Sequence, residues 1–379
     1  MLALRLTRGS HPLVLLRRLL VAAAAAGVGF LLLCTLGYAA GHPAQAPGSS
    51  LRLLWCVIPL AATVQFAVAV ARTDPSTRPR PGLSAVGLGP ARLTALAAAS
   101  TAVACTLGSA LALLFYLHLR GDITGLPFDG AAAELLAADR PMPLAAALTL
   151  LAVLPVAAAT AAALALRPRP AGGDEARVGD MPGGLPWGVA LLASGLAVET
   201  YAARAGGEAA TLPGRFEAGP IGVLAGWALT AAGLALAGPA LAYVSGRLLQ
   251  VFRPGATRLL AGRVLMAEAG RIGRPLGVVA AVASAALAAA TVGGLGPGGS
   301  GPLTVLGATL VVACTTATLL TAALESKQTR THTAQALQRL GAPPTVLRTA
   351  ALLRVAALLA VFVPLTWTVA TLAAAPLKG

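Results

Sequence analysis

Long apolar runs, broken by short basic or polar stretches, recur along the whole chain. A helix needs about 20 apolar residues to cross a hydrocarbon core of ~30 Å. Runs of roughly that length occur at Leu19–Ala40, Leu51–Ala71, Leu93–Leu117, Leu144–Leu166, Trp187–Ala203, Pro220–Ser245, Gly277–Gly294, Pro302–Leu324 and Val346–Ala375. Backbone polar groups have no water to bond in lipid, so segments of this length cross it as helices. The pattern predicts an all-α polytopic bundle of about nine spans. The fifth and seventh runs are short and rich in Gly and Ala, and the ninth carries Pro364, which marks a kink or an end.

Composition turns this pattern into a class. Hydrophobic residues make up 57% of the chain and charged residues only 11%, against about 25% charged in soluble domains. That deficit excludes a soluble enzyme, a nucleic-acid-binding module and a disordered tail. The formal net charge of +15 does not point to nucleic acid, because the basic residues sit between the apolar runs. With the N-terminus in the cytoplasm, the inside segments 1–18, 72–92, 167–186, 246–276 and 325–345 with Arg348 hold 21 Lys and Arg, against six outside. The positive-inside rule then orients the chain in a plasma membrane, N-terminus cytoplasmic and, with an odd number of spans, C-terminus extracytoplasmic. Arg5, Arg8, Arg17 and Arg18, the first apolar run and Ala44-Gln45-Ala46 imitate a signal peptide with its cleavage site. That apolar stretch is longer than a signal core and eight more follow, so it reads as a retained helix. The largest outside loop, from Leu119 to Pro143, carries Asp122, Asp129, Glu134 and Asp139 and is too short for an extracytoplasmic domain.

The chain offers little catalytic chemistry. Cys34, Cys56, Cys105 and Cys314 lie inside apolar runs and read as small hydrophobes. His11, His42, His118 and His332 are scattered without metal-ligand spacing, so neither a metal nor another cofactor is expected. Gly294-Leu295-Gly296-Pro297-Gly298-Gly299 follows a membrane run rather than a strand and reads as a turn, not a nucleotide cradle. No GxxxxGK[ST] sequence occurs, so any ATP must be hydrolysed by another subunit. Away from the ends of the runs the charged residues are Glu199, read as an interfacial side chain beside Tyr201, and Arg354, which reaches back toward the cytoplasmic headgroups. So few intramembrane carboxylates weigh against an ion-driven secondary transporter. Gly222 and Gly226 form a small-xxx-small pair in the sixth run, a weak signal in so Ala- and Gly-rich a chain.

An internal repeat organises the chain. Leu83-Ser84-Ala85-Val86-Gly87-Leu88-Gly89-Pro90-Ala91-Arg92-Leu93 follows the second run, and Leu337-Gln338-Arg339-Leu340-Gly341-Ala342-Pro343-Pro344-Thr345-Val346-Leu347 follows the eighth. Gly87 and Gly341 are 254 residues apart, and the starts of the first and seventh runs, Leu19 and Gly277, are 258 apart. Each copy places a basic stretch, a short apolar turn and a Gly before the next run. Thr333–Leu340 is predicted as a short amphipathic helix, with Ala336, Leu337 and Leu340 on one side, ending at Gly341.

The segment from Gln338 to Arg348 resembles the coupling segment of FtsX-like ABC transporter permeases of the MacB/LolC/BceB class. Leu260 to Pro275 is similar to the basic lead-in this family places before a permease unit. The chain departs from the family in having Thr333 and Pro79 where a Glu precedes the coupling Gly, and in having nine rather than ten spans and no large extracytoplasmic domain. The resemblance implies two permease units, 1–167 and 251–379, joined by a helix pair over 168–250. It also implies a cytoplasmic ABC ATPase dimer as partner, a lipid, lipopeptide or hydrophobic peptide as substrate, and no enzyme activity in this chain. ATPase coupling would fall to Val86, Gly87, Leu88, Gly89 and Arg92 in the first copy, and to Leu337, Arg339, Leu340, Gly341, Ala342 and Arg348 in the second. The other functions open to such a chain are a non-transporting scaffold or sensor subunit and a secondary transporter.

Overall fold

The computed structural model describes residues 12–42, 46–74, 90–123, 130–133, 136, 138–167, 182–204, 209–211, 217–251, 255–291, 301–339 and 343–375. Among them are nine helices: α1 (Pro12–Gly41), α2 (Ala46–Thr73), α3 (Pro90–Arg120), α4 (Leu144–Ala165), α5 (Leu185–Arg204), α6 (Ile221–Val251), α7 (Ala256–Thr291), α8 (Pro302–Arg339) and α9 (Pro344–Ala374). A small antiparallel hairpin, β1 (Ala209–Thr211) with β2 (Glu217–Pro220), separates α5 from α6. The fold is an all-α polytopic bundle, and each predicted run falls on a helix of its own over its described residues. Eight of these helices are long and apolar enough to cross a membrane; α5 is the ninth. Pro186, Trp187, Glu199 and Arg204 are what make α5 less apolar than the others.

The helices extend past the apolar runs where charged residues find water. The predicted run at Gly277 is the second half of α7, whose first half carries Arg263, Arg271 and Arg274 on exposed positions. Likewise α8 continues unbroken to Arg339, so Thr333–Leu340 is not a separate short helix. Its Ser, Lys, Gln and Thr residues are compatible with a helix that emerges from an apolar layer. Pro364 neither ends nor splits α9, which runs on to Ala374. At the other extreme α3 stops abruptly: Gly121 takes φ 92° and both it and Asp122 donate backbone N–H groups to Leu117 O, a glycine-terminated helix end.

The chain divides into two compact units. One comprises 1–170, 212–214 and 301–314, and the other 171–211, 215–300 and 315–379, the division falling inside α8. In the first unit α1 and α3 lie side by side. A β-carbon on Gly108 would meet Ala25 Cβ at 2.6 Å, and one on Gly29 would meet Ala112 Cβ at 2.8 Å. Phe30 packs edge-on to Phe115 and Tyr116, with centroids 5.9 and 6.2 Å apart. The first turns of α8 close this unit, Leu310 lying over Gly27, Trp55 over Gly307 and Thr63 Oγ1 at 3.5 Å from Cys314 Sγ.

In the second unit α5, α6 and α7 pack through glycine. On α5 a β-carbon at Gly188 would sit 2.7 Å from Ala237 N, and one at Gly195 would sit 2.6 Å from Thr230 N. On α6 a β-carbon at Gly226 would meet Glu199 N at 2.8 Å. The partners run in opposite order along the two helices, so α5 is antiparallel to α6 and follows it from Gly188 to Glu199. Gly222 and Gly226, the pair noted in the sequence, both lie on this seam. The next seam, α6 to α7, is built the same way around Gly238, Gly246, Gly262, Gly273 and Gly277. Small residues allow this closeness, and close backbone packing replaces the hydrophobic effect, which does not drive helix association in lipid.

Candidate coupling segments and buried charges

Most of the predicted coupling residues lie outside the described residues: Val86, Gly87, Leu88 and Gly89 in the first copy, and Leu340, Gly341 and Ala342 in the second. The helices that flank them are described. Arg92 is exposed on the first turn of α3, Arg339 is the exposed last residue of α8, and Arg348 is exposed near the start of α9. Leu337 lies in the last turn of α8. Pro343 is extended, with φ −68° and ψ 146°, and Pro344 occupies the first turn of α9, where its missing N–H removes no helical bond. The link from α8 to α9 is therefore three residues, 340–342, plus a proline that restricts the backbone.

Each unit also carries a polar clamp between its first two helices of the repeat. In the first unit Arg18 on α1 is ion-paired to Asp74, just past α2, and Arg17 Nη1 donates to Thr73 Oγ1 at 3.3 Å. In the second unit Ser326 Oγ on α8 donates to Glu268 Oε2 on α7 at 3.4 Å, and Arg354 Nη1 of α9 stands 4.0 Å from the same oxygen. The side chains of Glu268 and Arg354 are only 11% and 15% exposed. Arg354 thus does not reach toward headgroups as the sequence suggested. It turns inward because Glu268 offers an opposite charge where little water reaches.

Glu199 is likewise not interfacial. It is fully buried in the α5–α6 seam, where Trp227 Nε1 donates to its Oε1. Gly195 and Gly226 bring the two backbones so close that the carboxyl is enclosed between them. At the far end of the first unit Arg120 is buried against Arg140 O, with Asp122 Oδ2 3.5 Å from its Nε. Arg120 and Arg140 line a small cleft together with Leu36, Gly37, Leu136 and Met142.

The pairing of Glu268 with Arg354 is what sequence reasoning missed. Glu268 is the one carboxylate in a stretch holding six Lys and Arg, 246–276, and Arg354 the one cation away from the ends of the ninth run. Each is an isolated charge whose opposite number is in the other segment, a signal visible only when the two are compared. The cysteines behave as expected, all four buried and none in a disulfide. No group of three or more His, Cys, Asp or Glu residues able to hold a metal occurs among the described residues.

Comparison with protein-family models, with curated proteins and with solved structures finds no match. The chain is a multi-pass membrane protein on its own evidence of helix length and apolarity.

Proposed function

We propose that this chain is the permease subunit of an ABC transporter, resembling the duplicated FtsX-like class. In this reading two helical units move in response to a separate cytoplasmic ATPase. The observation that carries the proposal is a repeated helix pair. In the first unit α1 meets α3 through Ala25 with Gly108 and Gly29 with Ala112, 83 residues apart in both cases. In the second, α7 meets α9 through Ser284, whose Oγ donates to Thr366 O at 3.3 Å, and through Glu268 with Arg354, separations of 82 and 86 residues. Both are parallel pairs in nearly the same register. Gly29 and Ser284 differ by 255 positions and Ala112 and Thr366 by 254, the offset that relates Gly87 to Gly341. A duplicated unit with its first and third helices paired supports the transporter reading.

The antiparallel course of α5 along α6 favours nine crossings, and with the 21-to-6 charge split it supports a cytoplasmic N-terminus and an extracytoplasmic C-terminus. The tight joint between α8 and α9 then faces the cytoplasm, where an ATPase docks. The helices present mainly Ala, Leu, Val and Gly, which cannot replace the water around a polar solute. The substrate on this reading is a lipid, lipopeptide or hydrophobic peptide taken from the bilayer.

Affinity purification of the full chain from native membranes tests the proposal. A polypeptide bearing a P-loop is expected to co-purify, with ATP hydrolysis in the eluate. Recovery of the chain alone, in a preparation that still carries out transport, would contradict the assignment.

A further inference from the structure

Glu199 has a setting that the transporter reading does not use. Its side chain is fully buried. Trp227 donates to one carboxyl oxygen, and the other, Oε2, is buried with no partner among the described residues. Thr230 Oγ1, one turn along α6, is also buried without a partner among the described residues. No Lys, Arg or His forms an ion pair with Glu199 among the described residues, and the helices packed on α5 present no titratable side chain to it. From α6 come Gly226, Trp227 and Thr230, while α7 and α9 bring Ala288, Ala373 and Ala374 against the neighbouring Leu196. Tyr201 and Arg204, on α5 itself, are exposed.

An ionised carboxylate in such a place would face two oxygens' worth of lost hydration with a single neutral N–H in return. Burial of an unpaired charge costs so much that groups in this position take up a proton instead. Ionisable residues at membrane depth are retained where they do something.

We propose that Glu199 is a proton-binding site: a carboxylic acid, protonated at neutral pH, enclosed between α5 and α6. The indole N–H of Trp227 holds the carbonyl oxygen, leaving Oε2 to carry the proton. Because the glycine seam keeps water away, any movement that admits water between the two helices releases the proton. Proton binding and close packing of this pair are thereby linked. The site does not depend on an ATPase, and it supplies the intramembrane carboxyl that a proton-responsive protein requires.

Infrared spectroscopy of the full chain in a detergent free of carbonyl groups reads the protonation state directly. At neutral pH the difference between the wild-type protein and Glu199→Gln is expected to contain the carbonyl stretch of one protonated carboxylic acid, moving to lower frequency in heavy water. A difference containing the paired stretches of a carboxylate instead would overturn the proposal. Should the Gln variant fail to fold, Trp227→Phe serves: losing the indole N–H is expected to raise the frequency of the same carbonyl band. An acid-carbonyl region unchanged by Trp227→Phe would equally overturn it.

Discussion

Replacing Gly273 with alanine is expected to destabilise the second unit by about 1–3 kcal/mol, the usual cost of forcing an extra methyl into a packed seam. A β-carbon at Gly273 would overlap Pro239 Cα and lie 2.6 Å from Pro239 N and 2.7 Å from Gly238 O. All three are backbone atoms of α6, and none can swing aside as a flexible side chain does. The helices must separate, and their separation loosens the contacts of Gly238, Gly246 and Gly277 on the same seam. Gly270, one turn earlier on α7, has nothing within 4 Å of its would-be β-carbon and is exposed. Alanine there is expected to be neutral or to stabilise by up to ~1 kcal/mol through helix propensity alone. Thermal unfolding of the two variants in detergent checks this contrast. Equal midpoints would mean that the α6–α7 glycines are compositional rather than structural.

The second large effect is expected at the Glu268–Arg354 pair. Arg354→Met removes the cation 4.0 Å from a carboxylate that is only 11% exposed. Breaking a fully buried pair costs ~3–5 kcal/mol; with residual exposure and a 4.0 Å separation, about 2–3 kcal/mol is expected here. The double variant Glu268→Gln with Arg354→Met removes both charges and is expected to recover most of the loss. A double variant as unstable as the single one would show that the two side chains act independently.

Membrane architecture was legible in the sequence because lipid imposes a simple rule, a run of apolar residues about as long as the bilayer is thick. Where the rule fails, the reason is local. The seventh run was read from Gly277 because Arg263, Glu268, Arg271 and Arg274 interrupt the apolar pattern, yet α7 begins at Ala256. Those arginines are exposed and Glu268 is paired, so none opposes the helix. Glu199 and Arg354 were misplaced for the opposite reason. A lone charge in an apolar run reads as one that reaches for water, unless its partner is known, and Trp227 and Glu268 lie 28 and 86 residues away. The glycine seams were present as letters but not as contacts: 43 glycines in one chain give many accidental spacings, and only the helix pairing shows that Gly195 and Gly226 meet.

The ATP turnover of the complex purified from native membranes tests the central claim most directly. Arg339→Glu and Arg348→Glu reverse exposed charges on either side of the short joint between α8 and α9. Arg271→Glu reverses an exposed charge on α7, away from that joint. The account predicts that each of the first two lowers ATP turnover about tenfold, equivalent to ~1.4 kcal/mol of lost interaction. The Arg271 variant should keep the wild-type rate, and all three should insert normally. ATP turnover unaffected by Arg339→Glu and Arg348→Glu, in protein that still binds its ATPase, would contradict it.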